Sequence, residues 1–151
     1  MQASKKAFTM IELIFVVVIL GILAAVALPK LAATRTDAEI AKIAQNVMTG
    51  ASEILSYAVS KGETENDLKL MSNAMESLEG SGNAVLSDKK AVVSIGGVDD
   101  CLTLDITSGI EDENLTISFG NPGVDNKCLS LQSVIDVAKY PLKLRGQYVQ
   151  H

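Results

Sequence analysis

The feature that most constrains this chain is an apolar run near its start. From Phe8 to Leu28 only Thr9 and Glu12 are plainly polar. At about 1.5 Å per residue, a helix of this length spans about 30 Å, the hydrocarbon thickness of a bilayer. The run therefore predicts a membrane-spanning helix. A secretory signal peptide is the alternative, because an Ala-rich patch lies at residues 23–27, but the run is longer than a usual signal core.

Glu12 is unusual in such a segment, because it places a carboxylate about one turn inside the apolar run. An ionised acid at the centre of a bilayer costs roughly 3 kcal/mol, and a simple anchor would do better with an apolar residue. One interpretation is a carboxylate near the membrane boundary that is protonated or reached by water. The other is a carboxylate retained for a partner.

The residues that precede Glu12 carry a resemblance to a known family. Residues 5–13, with Lys5 and Lys6 before a small Ala7 and then Phe8, resemble the processing motif of type IV pilin-like proteins. This family includes type IV pilins and type II secretion pseudopilins. The resemblance implies a leader at residues 1–7, a cut before Phe8 by a membrane peptidase, and N-methylation of Phe8. Ala7 departs from the Gly that is usual before the cut.

The same resemblance implies roles for three residues inside the run. Glu12 is the fifth residue after the cut and is expected to pair with the new amino group of Phe8 on a neighbouring subunit. Pairing within one helix end is the competing geometry. Gly21 and Pro29 fall where the family softens or kinks the helix, and both residues weaken helical hydrogen bonding or propensity.

After Pro29 the apolar residues keep a helical spacing, and Gly62 follows as a helix stop. We therefore predict one helix over residues 8–61, in which residues 8–29 span the membrane and residues 30–61 form an amphipathic continuation. The predicted buried stripe consists of Ile40, Ile43, Ala44, Val47, Ala51, Ile54, Leu55 and Ala58.

Residues 62–151 are predicted to form a globular head. Leu68, Met71, Met75 and Leu78 have the spacing of one short amphipathic helix. Apolar runs and alternating patterns separated by Gly-containing turns predict strands, and a further short helix fits residues 131–138. The fold class is α+β, a long N-terminal helix packed on a small antiparallel sheet. The predicted strands are residues 92–95, 102–106, 115–119 and 142–149.

The two cysteines, Cys101 and Cys128, favour a disulfide in an exported chain. Two reduced buried thiols or a pair of metal ligands are the alternatives. A disulfide closing a loop of this size would stabilise the head by about 3 to 4 kcal/mol in the chain-entropy model.

The charge balance argues against general nucleic-acid binding. The formal net charge is −5, and it becomes −7 when Lys5 and Lys6 are lost with the leader. From residue 62 onward there are seven basic and fourteen acidic residues. Because binding to a phosphate backbone depends on Lys and Arg, such a head is poorly suited to it.

The sequence predicts no catalytic residue, cofactor or metal site. The single histidine is His151, the last residue, and the chain has no phosphate-binding loop and no paired-cysteine metal spacing. Residues 111–114 and the pair Asp99–Asp100 could supply oxygen ligands to calcium. A solvated acidic loop is the favoured interpretation of that run.

The predicted function is a structural subunit of a type IV pilus or of a type II secretion-type pseudopilus. The resemblance implies a homo-oligomeric filament, other pilins or pseudopilins, a prepilin peptidase, an assembly ATPase and a platform protein as partners. It also implies storage in the inner membrane, with the head in the periplasm, before assembly into a pseudopilus or surface pilus. The alternative is a minor pilin or pseudopilin that primes assembly or binds a ligand, as in competence or adhesion.

Overall fold

Helix α1, Met10–Lys61, is the longest element of the fold. The computed structural model describes residues 8–109 and 112–145, and the chain divides into two compact units, Met1–Ala38 and Glu39–His151. The helix predicted over residues 8–61 begins at Met10 rather than Phe8 and ends at Lys61 as expected. It ends there because Gly62, with a φ of 77°, donates its amide to the Ala58 carbonyl at 2.8 Å.

The part of α1 that belongs to the unit Glu39–His151 buries the predicted apolar stripe. Seven of the eight stripe residues are buried, and Leu55 is partly buried against them. The buried residues recur every three or four positions, so one face of the helix enters the core and the other remains polar. The buried members are Ile40, Ile43, Ala44, Val47, Ala51, Ile54 and Ala58.

The core is completed by a five-stranded antiparallel sheet in which each strand pairs with the next along the chain. Alternate residues of the third and fourth strands, such as Leu102, Leu104, Leu115 and Ile117, join the same hydrophobic cluster as the α1 stripe. The predicted α+β fold class is therefore confirmed. The strands are β1 Ala84–Ser87, β2 Lys90–Ile95, β3 Val98–Ser108, β4 Glu113–Phe119 and β5 Leu142–Lys143.

The hairpin between β2 and β3 shows how glycine residues make a tight turn possible. Ile95 pairs with Val98, so the connection consists of Gly96 and Gly97 alone. Both glycines have positive φ, 67° and 97°. A two-residue hairpin turn with positive φ at both positions matches the twist of the flanking strands, and glycine adopts it without steric cost.

The prediction of one helix through Leu68, Met71, Met75 and Leu78 is wrong. A 3₁₀ turn covers Leu68–Leu70, and a separate helix α2 covers Asn73–Gly80. The break occurs because Ser72 is the N-cap of α2 and accepts a hydrogen bond from the Met75 amide. The four apolar residues are nevertheless all buried.

The end of the head also differs from its predicted pattern. Helix α3 covers Asn126–Val134 and begins earlier than the predicted helix, because Asp125 caps it by accepting from the Cys128 amide. A 3₁₀ turn, Val137–Lys139, follows it. The predicted last strand is reduced to β5, since Leu144 and Arg145 lie outside it and residues 146–149 lie outside the described part of the chain.

Candidate functional site

The start of α1 is held by a reciprocal pair of hydrogen bonds between Thr9 and Glu12. The Thr9 amide and the Thr9 hydroxyl both donate to Glu12 Oε2, each at 2.9 Å. The Glu12 amide points back to Thr9 Oγ1 at 3.4 Å. Thr9 precedes the first helical residue and Glu12 is the third, so the pair is a capping box that satisfies amides left open at a helix start.

The capping box gives Glu12 a defined orientation. Both donors reach the same carboxylate oxygen, Oε2, and over residues 8–109 and 112–145 no hydrogen bond reaches Oε1. One oxygen therefore holds the helix start and the other stays open to a second donor. Thr9 followed three positions later by Glu12 is the known sequence signature of a capping box, but the arrangement was not among the predictions made from the sequence.

The apolar surface of α1 that follows the capping box in sequence is exposed in the single chain. Phe8 is 80% exposed and Met10 79%, and the large apolar residues from Ile11 to Leu31 with described side chains are exposed too. The stretch Met10–Ala27 has a mean hydropathy of 2.9 and is long enough to cross a membrane. An apolar surface of this extent has to be covered by lipid or by other protein.

The two predicted softening residues lie within continuous helical backbone. Gly21 and Pro29 both fall inside α1. A Cβ added at Gly21 would meet nothing within 4 Å, so packing in the single chain does not require glycine there. The absent side chain leaves a shallow place on the helix surface for a neighbouring helix or for lipid. A bend at either position remains a prediction, and the predicted cleavage residues Lys5, Lys6 and Ala7 lie outside the described residues.

The predicted disulfide is confirmed. Cys101 in β3 and Cys128 in α3 form a bond with an S–S distance of 2.01 Å and a Cα–Cα distance of 5.7 Å. Both residues are fully buried. Gln132 covers the bridge by donating its side-chain amide to the carbonyls of Cys101 and Gly120, at 2.8 and 3.0 Å. The bond ties α3 to the sheet and closes the loop that contains β4.

The interpretation of the acidic run at residues 111–114 as a solvated loop is wrong for Glu113. This residue is only 6% exposed. Its carboxylate accepts from Lys89 Nζ at 2.6 Å, from Thr64 at 2.7 Å and from Ser108 at 3.0 Å. These donors come from the loop after α1, the β1–β2 turn and the end of β3, so Glu113 joins its own β3–β4 hairpin to two segments that are distant in sequence.

The environment of Glu113 also fixes its charge. Burial by itself raises the pKa of the carboxyl, but the hydrogen bonds from Lys89, Thr64 and Ser108 and the charge of Lys89 outweigh it and hold the pKa below the ordinary value. Among residues 8–109 and 112–145, no three His, Cys, Asp or Glu side chains are grouped in a way that could hold a metal ion. Glu111, named in the calcium interpretation, lies outside those residues.

The start of the chain matches a family model described as the prokaryotic N-terminal methylation motif, over residues 2–28. This match defines a class, that of prokaryotic proteins carrying the motif. Similar curated proteins include two fimbrial proteins of Pseudomonas aeruginosa, 34% and 33% identical in alignments 137 positions long that cover 82% of this chain and 84% of each relative. The chain belongs to the type IV pilin family of fimbrial proteins. No solved structure matches it.

Membership of this family confirms the resemblance drawn from residues 5–13. The family is structural rather than enzymatic, and it implies assembly with other pilins into a filament. The exposed apolar half of α1 fits membrane anchoring and a surface pilus.

Proposed function

We propose that this chain is the filament-forming subunit of a type IV pilus, stored in the inner membrane through residues 8–29 and assembled after a cut before Phe8. The observation that supports this most strongly is the start of α1, where an exposed apolar helix carries one carboxylate whose Oε1 accepts no hydrogen bond from the described residues. An anchor alone would not need that carboxylate.

In this proposal the cut supplies the partner of Glu12. Removal of residues 1–7 takes away Lys5 and Lys6 and leaves a positive amino group on Phe8, which a membrane peptidase also methylates. That amine on one subunit pairs with Glu12 of its neighbour. Because Thr9 already occupies Oε2, the amine can reach Oε1 without opening the capping box. Both charges are then neutralised inside an apolar environment.

Assembly needs no covalent chemistry beyond the cut. The apolar side chains of α1 exchange lipid contacts for contacts with the same segment of other subunits, so their burial is conserved. The pair also fixes the axial register between subunits. In any other register Glu12 would be buried in the filament core without a partner for its charge. An ATPase and a membrane platform protein supply the work of extraction, and other pilins of the same cell are further partners.

Variants of Glu12 test this function directly. Glu12→Val should give a protein that is processed and membrane-inserted but that forms few filaments, measured as pilin in the sheared surface fraction relative to the membrane fraction. Asp37→Asn is the matched control, because Asp37 is an exposed carboxylate on the same helix. Filament yield from Glu12→Val equal to that of Asp37→Asn would contradict the pairing.

A second variant tests the role of the cut. Ala7→Phe places a bulky residue before the cut and should leave a precursor that retains the leader with Lys5 and Lys6. We expect this precursor to accumulate in membranes and to be absent from sheared filaments. Normal assembly of the uncut precursor would show that cleavage does not control filament formation.

A further inference from the structure

Strand β4 carries a sequence pattern that the proposed function does not use. Asn114 is followed by Leu115 and Thr116, which is the Asn-x-Ser/Thr pattern in which the asparagine side chain accepts an N-linked oligosaccharide. The chain has seven asparagines, and Asn114 is the only one with a serine or threonine two positions later. The pattern is short, so the folded head has to show whether Asn114 can carry a large polar substituent.

The alternation of side chains along β4 directs Asn114 away from the core. Glu113 is 6% exposed and Leu115 is fully buried, and successive side chains of a strand point to opposite faces of the sheet. Asn114 and Thr116 therefore share the outer face of the sheet, and both are half-buried. A substituent on the Asn114 side chain would extend from that face and would leave the hydrophobic core intact.

The side-chain amide of Asn114 makes no hydrogen bond to the described part of the chain. The one side chain that bonds to this residue is Thr107, whose hydroxyl donates to the Asn114 backbone carbonyl at 3.3 Å. Within residues 8–109 and 112–145, neither side-chain polar atom of Asn114 is buried without a partner, so the amide faces solvent. Because the amide holds no part of the fold together, its modification breaks no hydrogen bond of the head.

The neighbours of Asn114 on the outer face leave room for a sugar. Asn114 lies directly opposite Thr107 of β3 on one side and Lys143 of β5 on the other. Thr107 is short and exposed, and the side chain of Lys143 is 68% exposed. Both side chains can form hydrogen bonds with the hydroxyl groups of a sugar. An oligosaccharide on Asn114 would therefore meet polar, solvent-exposed groups.

We propose that Asn114 is an N-glycosylation site, modified by a membrane oligosaccharyltransferase that uses an oligosaccharide linked to a polyprenyl diphosphate as its donor. Asn114 Nδ2 forms a bond to C1 of the first sugar, and the bond between C1 and the diphosphate oxygen breaks. The polyprenyl diphosphate leaves with the electron pair of that bond and takes up the proton that the amide loses. The step is a substitution at C1, and it needs no oxidant or reductant.

The transfer has to precede the folding of the head. In the sheet the backbone of β4 is paired on both sides, with β3 and with β5, and the Thr116 hydroxyl donates to the Asp105 carbonyl at 3.1 Å. An enzyme that recognises the Asn-x-Thr pattern needs this backbone and this hydroxyl free, so it acts on the chain as the head emerges from the membrane. The inference rests on the export of the head in the proposed function, but not on Glu12 or on filament assembly.

Mass spectrometry of the full chain purified from its own cells tests the assignment. Trypsin cuts after lysine and arginine, so Asn114 lies in a single peptide, residues 91–127. This peptide should be heavier than its sequence by the mass of an oligosaccharide, and fragmentation should place the added mass on Asn114. Asn114→Gln and Thr116→Ala should lose the added mass, whereas Thr116→Ser should keep it. The matched control is Thr107→Ala, which should also keep it, because Thr107 lies opposite Asn114 but outside the pattern.

The outcomes separate this inference from the proposed function. All four variants should keep the Cys101–Cys128 disulfide, which shows that the head still folds. Filament protein without added mass on Asn114, or added mass that Thr116→Ala retains, would overturn the glycosylation while leaving the pilus function intact. A head that protease cannot reach in spheroplasts, and that therefore stays on the cytoplasmic side of the membrane, would instead overturn the proposed function and the glycosylation with it.

Discussion

The buried ion pair of Glu113 and Lys89 gives the sharpest prediction about the head. Glu113→Gln keeps the shape of the side chain but removes its charge, and it leaves the Lys89 ammonium, only 20% exposed, without its counter-ion. Breaking a buried pair by removing one partner costs about 3 to 5 kcal/mol. Because the Gln carbonyl oxygen, placed at the position of Oε1, still accepts from Lys89 and Ser108, we expect the lower end of that range.

The matched control is Glu79→Gln. Glu79 pairs with Lys69 at 2.9 Å, nearly the distance of the buried pair, but the two side chains are 37% and 39% exposed. Solvent screening reduces the contribution of such pairs to about 0–1 kcal/mol. For a head of roughly 100 residues, about 3 kcal/mol lowers the unfolding temperature by about 12 °C or more, and the control should lower it by a few degrees.

The pH dependence separates charge from shape in this comparison. The pKa of Glu113 is held below its ordinary value in the folded head, so its contribution is fully present above the unfolded pKa. It is lost as the pH falls through the folded pKa. The difference between the unmodified chain and Glu113→Gln should therefore be constant near pH 7 and shrink below about pH 4.

The assay is thermal unfolding of the full chain in detergent micelles, monitored by the near-ultraviolet circular dichroism of the head. Losses of equal size for Glu113→Gln and Glu79→Gln would refute the argument from burial. A large loss for Glu113→Gln that did not diminish in acid would show that shape rather than charge is responsible.

Two further predictions concern the disulfide loop and its surroundings. Replacing Cys101 and Cys128 together by serine should lower the free energy of unfolding by about 3 to 4 kcal/mol, measured by urea denaturation, and addition of reductant should then have no further effect. An unchanged midpoint of urea denaturation would contradict the stabilising role of the disulfide. Gly120→Ala would bring a Cβ into overlap with the Asp100 carbonyl and should cost about 1 to 3 kcal/mol or more. Gly80→Ala is the control, because a Cβ at Gly80 would meet nothing within 4 Å. This variant should change the free energy of unfolding by less than about 0.5 kcal/mol. Similar losses of stability for the two variants would refute the explanation from steric overlap.

The long helix and its buried stripe were readable from the sequence because their pattern is local and periodic. Residues such as Ile43, Val47 and Ile54 repeat at helical spacing, and all three are fully buried. The disulfide was predictable because an exported chain with two cysteines has one intramolecular pairing. Both features can be predicted from the spacing or the number of residues of one type along the chain.

The features that sequence reasoning missed depend on contacts between distant segments. Strand β1 shows no apolar alternation, since Val85 points outward and is 70% exposed while Ala84 is buried. The break before α2 is stabilised by Glu53 of α1, which reaches Ser72 across nineteen positions. The burial of Glu113 requires Lys89, which lies twenty-four positions earlier.

In the candidate site, too, the features that could be predicted are local sequence patterns, and the others depend on three-dimensional geometry. The family motif indicated Glu12 as the central residue. Its capping partner Thr9 was present in the sequence as a recognisable spacing but was not identified, and the assignment of the bond to Oε2 requires the geometry of the helix start.

In the proposed function, a cut before Phe8 creates the amine that Glu12 needs for assembly. Mass spectrometry of the N-terminal peptide from sheared filaments and from membranes tests it most directly. We expect the filament protein to begin with an N-methylated Phe8. A filament protein that still begins at Met1 would contradict it.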